Sequence, residues 1–266
     1  MMKSNFLTII LLILLLSVFP FLQAQESDLE VAEVMVSGKY TGENVYVLNP
    51  SENDSFSVQN VLVNGKEYAF NHQSNAFEIN LSSHQPNDFI YIQIQYKSAE
   101  PKVVNAESLV QESEFSLPSF VYNKKTKMLD WKIEDMNKDC RYQLQQFLYG
   151  KWVKVKDLGR PDEMIANNFL PVLITGMNLF RIVQDDGSSE LSSPIVKIKS
   201  PNRKIMLVSD KVKDFIEFSG VTHYELYDAN GFFIKRGTAQ KVNVADLKKG
   251  DYWINFDGKE TMIGKK

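Results

Sequence analysis

The sequence predicts an all-β protein, a tandem of small β-sandwiches behind a signal peptide. Two observations carry that prediction. Apolar side chains recur with a period of two: Ile90, Ile92, Ile94 and Tyr96 alternate with Tyr91, Gln93 and Gln95, and Tyr252, Ile254 and Phe256 repeat the pattern near the C-terminus. Such alternation turns one face of a strand toward a core and the other outward. Turn dipeptides punctuate the strands at Asn64-Gly65, Asp186-Gly187, Asn230-Gly231 and Asp257-Gly258, and these accept the positive φ angles of tight hairpins. Beyond the N-terminal apolar run no long segment has a helical period.

Residues 1–24 read as the signal peptide. Lys3 supplies the positive start, residues 6–19 are almost uninterruptedly apolar, and Ala24 followed by Gln25 offers a small residue at the cleavage position. The run is short for a bilayer span, which needs about 20 residues, and no cysteine follows it to accept a lipid. The expected route is Sec export to the periplasm and then the outer-membrane surface or the extracellular space, without stable membrane insertion.

The 266-residue chain has a formal net charge of −3, which falls by one to −4 when Lys3 is removed. It lacks the basic field that attracts nucleic acid or anionic lipid. Aromatic residues make up 12 % and charged residues 24 %, so there is material for real cores. Cys140 is the one cysteine; without a disulfide framework the sandwiches must be held by packing. Cys140 itself reads as a small residue at a strand edge.

Three units follow. The first, 31–97, has strand-like stretches at 34–37, 44–48, 56–63, 66–70, 76–81 and 89–96, the short regular spacing of a sandwich. The stretch 98–114 is polar, contains Pro101 and reads as a linker with at most a short crossing strand at 102–105. The second unit, 115–199, places Leu129 and Trp131 on alternate positions. Strands at 142–147, 151–155 and 178–184 follow, then the Asp186-Gly187 hairpin and a final strand after Ser193-Pro194. This order of elements resembles a fibronectin type III domain of secreted Bacteroidetes proteins, a resemblance that implies a binding or spacer module.

The third unit, 204–266, reads as strand, tight turn and strand over 223–235, then a short strand, a turn and another strand over 242–256, and it ends on two lysines. Tyr227, Asp228, Gly231, Leu247, Gly250, Tyr252, Lys265 and Lys266 follow in order and spacing the pattern Tyr-Asp-x-x-Gly, Leu-x-x-Gly-x-Tyr and a basic end. The unit therefore resembles the C-terminal sorting domain of the type IX secretion system. The Pro-Asn-Pro turn that opens the family's domain is replaced by Ser200-Pro201-Asn202-Arg203. With residues 37–40, 49–50, 63–65 and 77–81 of the first unit, the chain is similar to the PorA-like group of small sorting-domain proteins. That resemblance implies the type IX secretion machinery as partner and signalling to an envelope sensor kinase.

Chemistry is hard to place. His72, His84 and His223 lie at no metal-ligand spacing from one another or from Cys140, and neither a nucleophile elbow nor a phosphate-cradling loop is present. The carboxylate pairs Glu112/Glu114 and Asp185/Asp186 occupy the linker and a hairpin tip, where solvation is their expected role. Asp54, Asp185 and Asp186 are the only candidates for calcium, without a twelve-residue loop to hold it. Tyr91, Tyr149 and Trp152 are the aromatics that remain for contact with a surface glycan or a partner strand, although alternation places Trp152 on a sandwich face. The expectation is a non-enzyme with no metal and no cofactor. Two rival readings stand: an adhesin or carbohydrate-binding cargo whose sorting domain is cleaved after export, and a hydrolase with a deep polar cleft in the second unit.

Overall fold

A computed structural model describes residues 31–52, 55–110, 115, 117–133, 137–162, 167–200 and 204–266. The signal peptide with its Ala24/Gln25 junction, Asp54, Glu112, Glu114 and residues 201–203 lie outside them. The described elements are strands apart from one short 3-10 turn, and the chain is all-β. From Ala32 to Lys266 it forms one compact unit, within which the strands fall into three modules.

The first module contains β1 (Ala32–Tyr40), β2 (Val45–Leu48), β3 (Ser51–Glu52), β4 (Ser55–Phe56), β5 (Val58–Val63), β6 (Lys66–Glu67), β7 (Ala76–Ile79), β8 (Phe89–Tyr96), β9 (Lys102–Val103) and β10 (Leu109–Val110). A five-stranded sheet in the order β10-β1-β8-β5-β6 faces a three-stranded sheet in the order β7-β2-β9. Val45, Val47 and Ile79 from the smaller sheet meet Val61, Ile90, Ile92 and Ile94 from the larger, all fully buried. Each such side chain contributes about 1.5–3 kcal/mol relative to exposure.

Of the stretch 98–114, expected as a linker with at most a short crossing strand at 102–105, the described residues 98–110 are part of this sandwich. β9 pairs with β2 and β10 with β1, and Asn105 reaches back to the Tyr46 amide at 2.8 Å. Its polarity misled because short edge strands bury few side chains. Gly38 shows how close the approach is, since a Cβ there would lie 2.7 Å from backbone atoms of Leu109 and Val110.

The middle module contains β11 (Ser119–Asn123), β12 (Met128–Lys132), β13 (Arg141–Leu148), β14 (Lys151–Gly159), β15 (Asn168–Phe169), β16 (Gly176–Asp185), β17 (Glu190–Ser192) and β18 (Val196–Ser200). One sheet runs β11-β12-β15, and the other runs β14-β13-β16 with β17 and β18 both paired to β16. Leu129, Trp131, Tyr142, Leu144, Phe180 and Ile182 fill the space between them. Cys140, directly before β13, belongs to this core at 1 % exposure.

The terminal module contains β19 (Lys211–Val212), β20 (Phe215–Asp228), β21 (Phe233–Asn243), β22 (Gly250–Phe256) and β23 (Lys259–Lys265), in one sheet of order β19-β23-β22-β20-β21. Glu217 pairs with Lys241 and Thr222 with Ala239, so four residues of β20 oppose Gln240 alone. A bulge of this kind bends the strand and increases its twist. The bend brings Ile216 and Phe218 onto the same core as Leu226, Ile254 and Ile263, with the Phe218 and Phe256 rings 4.9 Å apart.

Candidate functional site

The turn-forming residues of the terminal module take conformations that explain their identity. Asp228 ends β20, and its carboxylate accepts from the amides of Asn230 and Phe232 at 2.9 Å each. Gly231 follows at φ +83°, a backbone state that costs glycine little. Gly250 opens β22 at φ +147°. Tyr252 is buried and donates its hydroxyl to the Lys248 carbonyl at 2.8 Å, and Leu247 packs against the core. Asp228 pairs with Tyr252 and Gly250 with Lys265, while the Lys266 amide donates to Val212 O. The motif residues of β20, β22 and β23 therefore share one end of the sheet.

Tyr227 is the exception, since it faces the middle module. Its hydroxyl donates to Glu225 at 2.5 Å, and Lys151 Nζ lies 3.4 Å from it. Burial, then the neighbouring Glu225 carboxylate, raises its pKa. Lys151 also pairs with Glu225 at 2.9 Å. Burial works against the charged lysine, but its bonds to Glu225 and Tyr227 outweigh that and its pKa is raised. On the same face of β20, His223 Nε2 donates to Val172 O at 3.1 Å and Nδ1 accepts from the Thr238 hydroxyl at 2.7 Å. Desolvation lowers the pKa of this imidazole despite the Val172 bond. From Thr222 onward β20 thus covers both faces, one in its own core and one against the middle module.

A second boundary joins the first and middle modules. Phe89 of β8 packs on Phe147 and Trp152 with centroids 5.2 and 5.1 Å away. The Arg181 guanidinium stacks 4.3 Å from the Trp152 ring, and Lys199 meets Glu33 at 2.7 Å. The face of β8 expected to point outward is therefore covered, with Tyr91 4 % and Gln93 5 % exposed. Trp152 is a boundary residue, not a free aromatic platform. Tyr149 is likewise held, donating its hydroxyl to His223 O at 2.7 Å.

All three modules meet around a cleft of about 880 Å³, within the ~300–1,000 Å³ range of ligand pockets. Each contributes the tip of a two-residue hairpin with positive φ at both positions: Asn64-Gly65 (51°, 80°), Tyr149-Gly150 (54°, 78°) and Asp257-Gly258 (46°, 70°). Asn and Asp adopt this conformation readily, whereas a bulky residue does so only when its surroundings dictate it. Asn64 Oδ1 accepts from the Tyr91 amide at 2.9 Å. Buried Asp257 accepts from the Thr175 amide and hydroxyl at 2.7 and 3.0 Å, and from the Ile205 amide at 2.8 Å. Asn178, fully buried, shapes the turn before Gly176 by bonding both the amide and the carbonyl of Ile174 at 2.9 Å. Asn64-Gly65 and Asp257-Gly258 were visible as turn signals in the sequence, while Tyr149-Gly150 carried only its glycine.

The remaining chemical candidates are occupied or scattered. Asp185 caps the Gly187 amide, and Asp186 accepts from the amides and hydroxyls of Ser188 and Ser189. The Ser188 bonds foremost hold the Asp186 carboxyl well below its ordinary pKa. His72 stacks on Phe70, and His84 sits 3.9 Å from Asp88. Among the described residues no three metal-binding side chains come together.

No family model matches the chain, and no curated protein does. The middle module has a fibronectin type III-like fold. Its first, second and fifth strands face a sheet built from the third, fourth and sixth with the closing strands. Solved structures similar to the chain include a two-domain fibronectin type III segment of chicken tenascin, at 16 % identity over 57 % of this chain and 96 % of that one, TM-score 0.22. Others are Bacteroides ovatus SGBP-B of a mixed-linkage glucan utilization locus, in complex with a mixed-linkage heptasaccharide (12 %, 86 % and 65 %, 0.22), and the Faecalibacterium prausnitzii beta-glucuronidase (10 %, 88 % and 36 %, 0.20). The chain spans about a third of that beta-glucuronidase's length. Scores this low carry no argument about ligand or activity.

Proposed function

We propose that the chain is a non-enzymatic exported protein carried by the type IX secretion machinery through its terminal module, 204–266. The first two modules serve as spacer or partner-binding units, and the terminal module remains attached and signals to an envelope sensor kinase. The observation that carries this reading is the terminal module's own hydrophobic core. That core leaves Asp228, Gly231, Gly250 and Lys265 at one end of the sheet, where export machinery can grip them.

Retention is favoured over a cleaved cargo by the face of β20 that carries His223 and Glu225. Removing residues 204–266 would strip Tyr149 and Lys151 of their partners and take one wall from the cleft. A binding role, not catalysis, is supported by Asp257, the buried carboxylate of the cleft, whose two oxygens already accept three hydrogen bonds from the protein. The cleft also lies between modules, not within the middle one as a hydrolase there would require.

The test is deletion of 204–266 followed by cell fractionation, with the mass of the exported protein measured alongside. Loss of surface or envelope localisation, with the terminal residues intact in the wild type, is the expected result. Unchanged localisation overturns the sorting role, and a product shorter by the terminal module overturns retention in favour of the adhesin or glycan-binding cargo.

A further inference from the structure

The two boundaries between modules differ in kind. The first and middle modules share an apolar cluster, in which Phe89 and Tyr91 are buried with Phe147 and Leu179 and backed by Met35, Met177 and Ile195. Among the described residues no such cluster spans the boundary between the middle and terminal modules. The apolar clusters on its two sides keep to their own modules, Leu148, Val153 and Ile174 on one side and Leu226, Ile254 and Ile263 with their neighbours on the other.

Polar contacts join these two modules instead. Tyr149 donates to His223 O at 2.7 Å and His223 Nε2 donates to Val172 O at 3.1 Å. Lys151 meets Glu225 at 2.9 Å and the Tyr227 hydroxyl at 3.4 Å. At the other end the Thr175 amide and hydroxyl donate to Asp257. Relative motion of neighbouring modules is the expectation unless their boundary is large and hydrophobic. Separation here exchanges each bond for one with water, a small net change. Parting the first two modules would also bare Phe89, Tyr91 and Phe147 to water.

His223 ties this joint to pH. The elements around it supply ionisable groups on every side: Tyr224 and Glu225 from β20, Arg236 from β21, Tyr149 and Lys154 from the middle module. Lys151 and Tyr227 lie one step further, both on Glu225. In the docked state the imidazole is 9 % exposed. Its Nδ1 accepts from Thr238 while Nε2 donates to Val172, a set of bonds complete for the neutral ring. A proton there adds a cation to a small cavity that Lys154 and Arg236 already line, and the one carboxylate in it, Glu225, is engaged by Lys151. Burial accordingly lowers the pKa of the ring. Once undocked, the imidazole meets water and takes the proton at its ordinary value of about 6.5. Proton uptake goes with opening, so falling pH favours the open form.

We infer that the terminal module docks reversibly: it leaves the middle module as pH falls from about 7 toward 5, keeping its own fold, while the first two modules stay joined. The inference goes beyond the export reading and does not rest on it, because it concerns the folded chain in solution, however that chain reaches the surface.

The test uses the chain freed of its first 24 residues and spin-labelled at two introduced cysteines, with Cys140 buried away from the label. One pair spans the middle and terminal modules (Lys124→Cys with Lys248→Cys), and the other spans the first and middle (Glu52→Cys with Lys124→Cys); all three positions are exposed. Distances between labels and the far-ultraviolet strand signal are recorded from pH 7.5 to 5. The middle-to-terminal pair should gain a longer, broader distance. Its ratio to the docked distance should rise by up to tenfold per pH unit below about 6.5, the slope for one proton. The first-to-middle distance and the strand signal should stay constant. His223→Gln, whose amide can keep both hydrogen bonds without taking a proton, should flatten the rise. The inference is overturned if the middle-to-terminal distance does not change with pH, if both distances lengthen together, if the strand signal is lost as they do, or if His223→Gln opens as steeply as the native residue. The two label pairs are read with His223 in place, so they decide the matter even if the His223 variant fails to fold.

Discussion

Lys151 Nζ lies 2.9 Å from Glu225 Oε2 across the boundary between the middle and terminal modules, and the Glu225 side chain is only 2 % exposed. A carboxylate buried this deeply depends on its cation. Arg236, the other cation nearby, is 3.7 Å from Oε1, and Oε1 itself has no hydrogen-bond partner.

Lys151→Met should therefore destabilise the protein by about 2–3 kcal/mol, toward the low end for breaking a buried pair because the lysine is half exposed. Adding Glu225→Leu should recover at least half of that loss, since the carboxylate that needed the cation is gone. Urea unfolding of the single and double variants checks both statements. A double variant as unstable as the lysine variant alone would count against the pairing.

His223 makes stability depend on pH in a defined direction. Its pKa is lowered in the folded state by burial, so the unfolded chain takes up the proton first. Its contribution is complete above the unfolded value of about 6.5 and is lost as pH falls toward the folded value. The unfolding midpoint should thus drop between pH 7 and 5, and His223→Gln should flatten that slope. Lys154, Glu225 and Arg236 line the same small cavity as His223, so the comparison is made against the wild type at each pH. A wild type no steeper than the variant refutes the assignment.

Gly38→Ala tests how much residues 98–110 contribute to the fold. The added methyl would sit 2.7 Å from the Leu109 carbonyl group and from Val110 O, so β10 must leave β1. The expected loss exceeds about 1 kcal/mol, with faster proteolytic cleavage within 98–110. Equal protease resistance would show that this edge contributes little.

Phe89→Ala removes the ring on which Phe147 and Trp152 pack, while the main core of the first module, which does not include Phe89, stays intact. The cost is about 3 kcal/mol, concentrated at the boundary. Calorimetry should then resolve the first module as a separate transition. A single transition shifted down as a whole would mean that Phe89 serves its own module instead.

Much of the fold was legible because period-two alternation and Asn-Gly or Asp-Gly turns are local signals. β8, β13 and β22 lie where the pattern put them, and so do the tips at Asn64-Gly65 and Asp257-Gly258. What alternation does not encode is which outward face meets another module. Tyr91 and Gln93 read as solvent-facing, yet both are buried, although the polar-free run Phe89-Ile90-Tyr91-Ile92 carries the mark of a strand covered on both sides. Tyr149-Gly150 was not legible because tyrosine is not a turn former; its side chain is tied instead to His223 O, 74 residues away. The cleft was invisible for the same reason, being assembled from tips that are distant in sequence.

The burial of Cys140 has a consequence for how the molecule matures. The chain contains one cysteine, and it is 1 % exposed inside the middle module. No disulfide can therefore form within the chain under reducing or oxidising conditions, and the folded surface offers no thiol to an oxidase. No step of folding within the chain waits on disulfide formation.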